Sequence, residues 1–277
     1  YLPIRFSTAN KQPEVVSINV DKGQIFAHTR SRKGETPGNL IFFEGNMLSQ
    51  SHTEVVCYPQ IEVQLAKLQK EVNAEPNNAD KSTERGDYLL DKGELGLAIA
   101  DFRKALKSEP KPETRAKARG KLFEAFTEYF QRDFGRAEEY LAEYEEMCKV
   151  DLTGSEGAER TARMAEERRR RANFLCLVGK GREAQGKLTE AFDRYLELGE
   201  NARRDELIQV VDEPSVKAAP DVWAQGRIGA MIASTTDAKQ KSALESKITE
   251  RWNRIKADKA TKTEEVRKFV SLFGSLF

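Results

Sequence analysis

Histidine is the side chain best suited to moving protons near neutral pH, and the 277 residues contain two, His28 and His52. Neither has an acid–base partner or a nucleophile at a spacing that would set up general-base catalysis; Ser51-His52-Thr53 sits at the edge of an apolar run. The three cysteines, Cys57, Cys148 and Cys176, are far apart, with no C-x-x-C pair and no histidine at ligand spacing, so they read as free and mostly buried thiols. Gly181-Arg-Glu-Ala-Gln-Gly186-Lys187 copies the skeleton of a phosphate-binding loop. That loop needs a strand before it and a Ser or Thr after the lysine to hold magnesium, and Leu188 stands there instead. Gly179-Lys-Gly181-Arg-Glu-Ala184 imitates a dinucleotide fingerprint but lacks the βαβ unit around it. Catalytic, cofactor and metal sites are all expected to be absent, and with them a small-molecule substrate.

Charge gives one further candidate, the run Arg168–Arg171. Four consecutive helical residues point in nearly all directions, so they form no single stripe, and Glu159, Glu166 and Glu167 lie within a turn or two. The expected role is a solvated helix face, with contact to anionic lipid or an acidic partner as the alternative. The first sixty residues hold six basic and five acidic side chains, leaving 40 of each beyond Gln60 and a net charge of +1 for the whole chain. No basic excess is present to hold nucleic acid. Charged residues make up 33% of the chain, and mean hydropathy is −0.66, which suits a surface-rich helical array. The longest apolar run is well short of a membrane span. The sequence opens at Tyr1 in mid-pattern and closes on the apolar FVSLFGSLF, so it is expected to be a piece of a longer protein.

Two kinds of element position these residues. Residues 1–60 contain six short alternating, β-branched or aromatic runs: YLPIRF, VVSINV, IFAHT, NLIFF, NMLSQ and TEVVCY. Asp21-Lys22-Gly23 and Glu44-Gly45-Asn46 each lie between two of them and predict hairpins. Past Pro59 the period changes: Ile61, Leu65, Leu68 and Val72 recur at helical spacing, and Glu75–Asp80 is a polar connector. The predicted organisation is a β segment over 1–60 and helices over 61–277.

Among the helices a single spacing rule recurs. Gly86 and Ala98 are twelve apart, Phe102 follows at four and Ala105 at seven, Gly93 marks the turn, and Pro110 closes the unit. Ala125 and Ala137 repeat the interval, with Leu141 and Tyr144 at the same two offsets and Asp133-Phe134-Gly135 at the turn. Gly179 and Ala191 repeat it again, with Gly186, Tyr195 and Leu198. The rule resembles the tetratricopeptide repeat, in which small residues let two helices approach and an aromatic fills the next turn. Ser82 replaces the usual tryptophan. Copies are expected near 79–110, 118–148 and 172–201. The alanines Ala98, Ala137 and Ala191 are 39 and then 54 residues apart, against about 34 in a regular array, so the solenoid is expected to be irregular. The excess falls around Leu152–Gly157, with one long helix from Ser155 to about Ala184. Pro214 and Pro220 bracket a connector, and 221–277 reads as divergent helices over Trp223–Ser234, Ala238–Ala257 and Glu264–Phe273, with Trp252 as the largest core candidate.

SINVDKGQIFAHT resembles the strand–turn–strand unit of quinoprotein-type β-propellers, which makes 1–60 the last blade or blades of one; a small independent β-meander is the alternative. The order of strands then helices, and the wording PGNLIFFEGNMLSQSHTEVVCYPQ and ERGDYLLDKGELGLAIADF, resemble a family of planctomycete bacterial proteins described as membrane-coat-like. That resemblance implies a non-enzymatic scaffold that assembles with other proteins or with itself at periplasmic or internal membranes. The alternatives are a peptide-binding adaptor or, more remotely, a non-catalytic region of a quinoprotein-like enzyme. By the tetratricopeptide pattern the concave side would carry Arg119, Leu122, Phe126, Tyr129 and Phe130, with Asp80, Thr83, Asp87, Leu90 and Asp91 before them and Asn173, Cys176, Lys180, Glu183 and Ala184 after. Core packing is the competing role for the aromatics of that set. Because VVSINV and NLIFF carry no charge to discourage pairing, the β segment is expected to dock on the helix over Ile61–Val72 or to pair with another copy.

Overall fold

The computed structural model describes residues 1–4, 13–30, 34–44, 46–201, 203, 207–209, 217–257 and 263–274, apart from the side chains of 26–28, 30, 59 and 209. Of the residues singled out above, Arg5, Phe6, Gly45, Pro214 and 275–277 lie outside the described residues, as does the His28 side chain.

Each apolar run of the first sixty residues contains a strand. β1 (Leu2–Ile4), β2 (Glu14–Asn19) and β3 (Gln24–Arg30) form one antiparallel sheet in that order. β4 (Asn39–Phe43), β5 (Asn46–Gln50) and β6 (Val55–Pro59) form a second. Glu44 takes a positive φ of 45° in the tight turn that pairs Phe43 with Asn46. Val15, Val16 and Met47 are buried, and Tyr1 stacks on Phe42 with ring centroids 6.2 Å apart. Each sheet has three strands among the described residues, where a propeller blade has four.

The rest is mainly helical. α1 (Ile61–Ala74) is followed by α2 (Ala79–Lys92), whose Asn78 cap accepts from Lys81 N–H at 3.1 Å, and by α3 (Leu95–Lys107) and α4 (Pro112–Arg132). Asp133 caps α5 (Phe134–Ala137) by accepting from Arg136 N–H at 3.1 Å. A 3-10 turn over Glu138–Tyr140 leads into α6 (Leu141–Met147). The long helix α7 (Gly157–Ala184) and α8 (Leu188–Glu200) follow. A two-residue antiparallel pair, β7 (Ile208–Gln209) with β8 (Lys217–Ala218), precedes α9 (Pro220–Ser234), α10 (Ala238–Ala257) and α11 (Thr263–Phe273). Pro220 opens α9, where its missing N–H has no helical partner to lose.

The chain divides into two compact units, Tyr1–Tyr129 and Phe130–Phe277. The division falls inside α4, and residue 60 lies within the first unit because β3 packs against α2. In the first unit Leu68, Val72, Leu90, Ile99, Phe102 and Phe126 are buried together with the sheet residues named above. In the second, Phe134, Phe130, Tyr144 and Phe174 form a chain of ring contacts at 5.5, 5.0 and 5.4 Å. Tyr195 meets Trp223 edge-on at 5.5 Å, and Phe269 lies between Trp252 and Phe273 at 5.0 and 4.9 Å.

One hairpin is built twice, once in each unit. In α2–α3, Gly93 adopts φ +81°, its N–H bonds to Leu90 O, and Glu94 N–H bonds to Leu89 O, both at 2.9 Å. In α7–α8, Gly186 adopts φ +73°, its N–H bonds to Glu183 O, and Lys187 N–H bonds to Arg182 O, again both at 2.9 Å. These bonds satisfy helix-end carbonyls, and only glycine enters that left-handed conformation without a steric cost. Seven residues before each cap stands a glycine whose missing Cβ makes room for a ring: Gly86 for Phe102, and Gly179 for Tyr195. Ala98 and Ala191, the small residues of the second helices, are fully buried. Both second helices are 13 residues long.

Candidate interaction surface

The side chains expected on a concave face are largely engaged with the fold itself. In the first unit Thr83, Asp87, Leu90 and Asp91 of α2 are buried, and α4 reaches across to that face. Lys121 pairs with Asp87 at 2.9 Å and with Glu124 at 3.1 Å, and Thr114 hydroxyl donates to Asp80. Leu122 is 1% exposed and Phe126 0%, so the aromatic segment of α4 is core in this unit. In the second unit Phe130 is 3% exposed, stacked on Tyr144. A partner could reach these three only by opening the fold, which corrects the expectation of an aromatic groove. Arg119 and Tyr129 remain partly exposed.

Sequence reasoning missed an ion pair beneath α2. Arg85 holds Asp101 through both its Nε, at 2.6 Å, and an Nη, with Asp101 only 5% exposed at its side chain. Its other Nη reaches Gln69 at 2.8 Å. Arg85 and Asp101 are sixteen residues apart, as Gly86 and Phe102 are, so the repeat offset was the signal available.

In the second unit Lys180 and Glu183 of α7 face α9. Glu183 accepts from the Tyr195 hydroxyl at 2.7 Å and from Arg227 Nη2 at 2.6 Å. Burial, and then the neighbouring Arg227 charge, lower the Lys180 pKa, while burial first and the hydrogen bond to Glu183 second raise that of Tyr195. Arg227 is the member that the sequence did not indicate. Cys176 is buried, and burial pushes its thiol up to about 12; Cys148 is likewise buried and raised to about 12. Cys57 is exposed on β6.

The other tempting motifs resolve into packing. Gly181 leaves room for Phe134, and Gly186 is the helix cap, so both glycines of the phosphate-loop skeleton have structural duties, with α7 rather than a strand before them. The arginine run is neutralised piecemeal. Arg169 and Arg170 bond Glu166, and Arg171 bonds Glu145 and Glu197 while lying over the Phe174 ring at 5.0 Å. Arg182 joins Glu138 and Glu190 and covers the Phe134 ring at 5.5 Å.

Two features lie open on the surface of the first unit. An open hollow of about 710 Å³ in the first unit is lined by Asn77, Arg103, Lys104, Lys107 and Glu109. The second sheet presents apolar side chains to solvent: Ile41, Phe42, Phe43 and Val55 are each more than half exposed. Among the described residues no group of three or more His, Cys, Asp or Glu could hold a metal ion, and no helix is long and apolar enough to cross a membrane. No family model, curated protein or solved structure matches the chain.

Proposed function

We propose that this chain is a protein-assembly scaffold whose helical hairpins are of tetratricopeptide type, preceded by strands from the end of a β-propeller. The observation that carries the reading is the duplicated hairpin. Glycine against ring, buried alanine and left-handed glycine cap recur at identical offsets in α2–α3 and α7–α8. Such a hairpin cannot bury both its faces alone, and stacking neighbours on it is how repeat arrays are stabilised and how they present long binding surfaces. Within each unit a further helix lies on the hairpin, α9 against α8 and α4 reaching α2 through Lys121 and Asp87, which supports the reading.

A non-catalytic role is favoured by how the charged groups are spent. Arg85, Arg171, Arg182 and Arg227 are bound to carboxylates on other helical segments, a use of charge that holds helices together. Coat-like assembly at a membrane rests on the order of strands followed by helical hairpins and on the resemblance noted above; a shared architecture does not by itself carry a function. The test is immunoprecipitation of the intact protein from native membranes, followed by sizing. Recovery in a large assembly with a fixed set of partner proteins is the expected result. A single free species in the soluble fraction, or an enzymatic turnover that maps to this chain, would overturn the reading.

A further inference from the structure

We propose that β4 is a self-pairing edge through which two copies of this chain associate about a two-fold axis at Ile41. β4 is outermost in its sheet, with β5 between it and β6. Its five residues, Asn39-Leu40-Ile41-Phe42-Phe43, contain no charge and no proline, the two devices by which edge strands usually discourage pairing. The other edges of the two three-stranded sheets each carry one such device or a covering element. β1 contains Pro3, β3 packs against α2, and β6 ends on Pro59. Ile41, Phe42 and Phe43 are 53, 53 and 59% exposed, and among the described residues no strand pairs with the outer side of β4.

The register follows from the hairpin. Phe43 pairs with Asn46 across a two-residue connection, which makes the closing pair a hydrogen-bonded one. Bonding alternates along an antiparallel ladder, so Leu40 and Phe42 turn their N–H and C=O groups to the open side. Two copies set antiparallel with Ile41 opposite Ile41 place Leu40 of each against Phe42 of the other, and the four peptide groups close four hydrogen bonds. Any shift by one residue loses this match.

Side chains and charges favour a second copy as the occupant. In that register Ile41 extends an outer-face row that already runs Ile41, Leu48, Cys57 across the sheet, giving one six-stranded sheet with an apolar row across it. The nearest charge, Glu44, falls opposite Gly38 of the second copy. The two Glu44 side chains stand at opposite ends, about 20 Å apart at 3.4 Å per residue. No like charges meet, and the interface is isologous, as a closed dimer requires. This inference rests on the strand alone; it is compatible with the propeller of the scaffold reading only where the fourth strand of the blade pairs with β6 and not with β4.

The experiment uses the full chain with Cys57→Ser, so that no exposed thiol competes. Mild oxidation of the Ile41→Cys variant should give a covalent dimer, because a non-hydrogen-bonded antiparallel pair brings its Cα atoms to about 4.5 Å, within disulfide reach. Phe43→Cys should not cross-link, its two copies lying about 14 Å apart along the strands. In sedimentation equilibrium Ile41→Lys should weaken the dimer at least ten-fold, with circular dichroism unchanged because the side chain is exposed. Cross-linking at 41 but not at 43, with loss of the dimer in Ile41→Lys, supports the proposal. A chain that stays monomeric at 100 µM and does not cross-link at 41 overturns it and leaves the edge to a strand of another protein. A dimer that Ile41→Lys leaves intact overturns it in favour of a different surface.

Discussion

The ring of Tyr195 lies against the backbone of Gly179, sixteen residues earlier, so closely that a Cβ built on the glycine would come within 2.3 Å of it. The ring is fully buried and cannot swing aside. Overpacking of this kind costs about 1–3 kcal/mol, whereas leaving glycine in a helix interior gains about 1 kcal/mol. Gly179→Leu should therefore lower stability, and combination with Tyr195→Ala should recover some of the loss. Urea unfolding of the two single variants and the double variant measures this. Identical midpoints for wild type and Gly179→Leu would sink the packing argument.

The left-handed caps make a second comparison. Gly186→Ala should cost about 1 kcal/mol through backbone strain alone, because nothing lies within 4 Å of a Cβ added there, and Gly93→Ala should carry at least the same strain from its left-handed backbone. Gly186→Asn should cost less, since asparagine tolerates that conformation. Thermal unfolding of the three variants checks the ranking; an Asn variant no better than Ala would count against strain as the cause.

Acid should act through Glu138. Hydrogen bonds from Gln185, at 3.0 Å, and then from Arg182 hold its carboxyl at about 2. An unfolded chain has the group near the ordinary value of about 4.3. A folded pKa below the unfolded one gives stability that is complete above about pH 4.5 and is lost as the pH falls toward 2. The difference in melting temperature between wild type and Glu138→Gln should be steady from pH 7 to 5 and shrink from 4.5 to 3. A difference that grew over that lower range would show the opposite linkage.

At Glu183 the expected loss is larger. Glu183→Ala leaves Arg227 and the Tyr195 hydroxyl without their shared acceptor, and hydrogen bonds to charged groups contribute about 1.5–3 kcal/mol. Tyr195→Phe, which removes one donor and leaves the ion pair, should cost less. If Glu183→Ala left the unfolding midpoint in place, the cluster would be a solvated surface rather than a link between α7 and α9.

Thiol titration separates the cysteines. Cys57 is exposed, while burial raises Cys148 and Cys176 to about 12. At pH 8 one thiol should react quickly with a chromogenic disulfide and the other two only after denaturation. Three fast thiols would show that α6 and α7 open readily.

Much of the fold was legible because its signals are local. The six apolar runs each contain a strand, Ala238–Ala257 is a helix over the predicted span, and the long helix begins two residues after Ser155 and ends at Ala184. The 3-10 turn at Glu138–Tyr140 and the β7–β8 pair were not foreseen, since neither has a period long enough to read. The face of Leu122, Phe126 and Phe130 was misassigned for a different reason. Aromatics at helical spacing serve a groove or a core equally well, and only knowing what lies opposite decides. Arg227 escaped notice because its partner Glu183 is 44 residues away. Distances of that length leave no mark on sequence periodicity.

The sixteen-residue interval between each glycine and its ring has a consequence for how the chain acquires its structure. Gly86 with Phe102 and Gly179 with Tyr195 are both contacts that need only a short loop to close. Proteins dominated by such short-range contacts fold quickly. A ribosome adds about 5–20 residues per second, so Phe102 would leave the exit tunnel within a few seconds of Gly86, and the α2–α3 pair could close before α7 had been translated. Synthesis itself would then set the order of assembly.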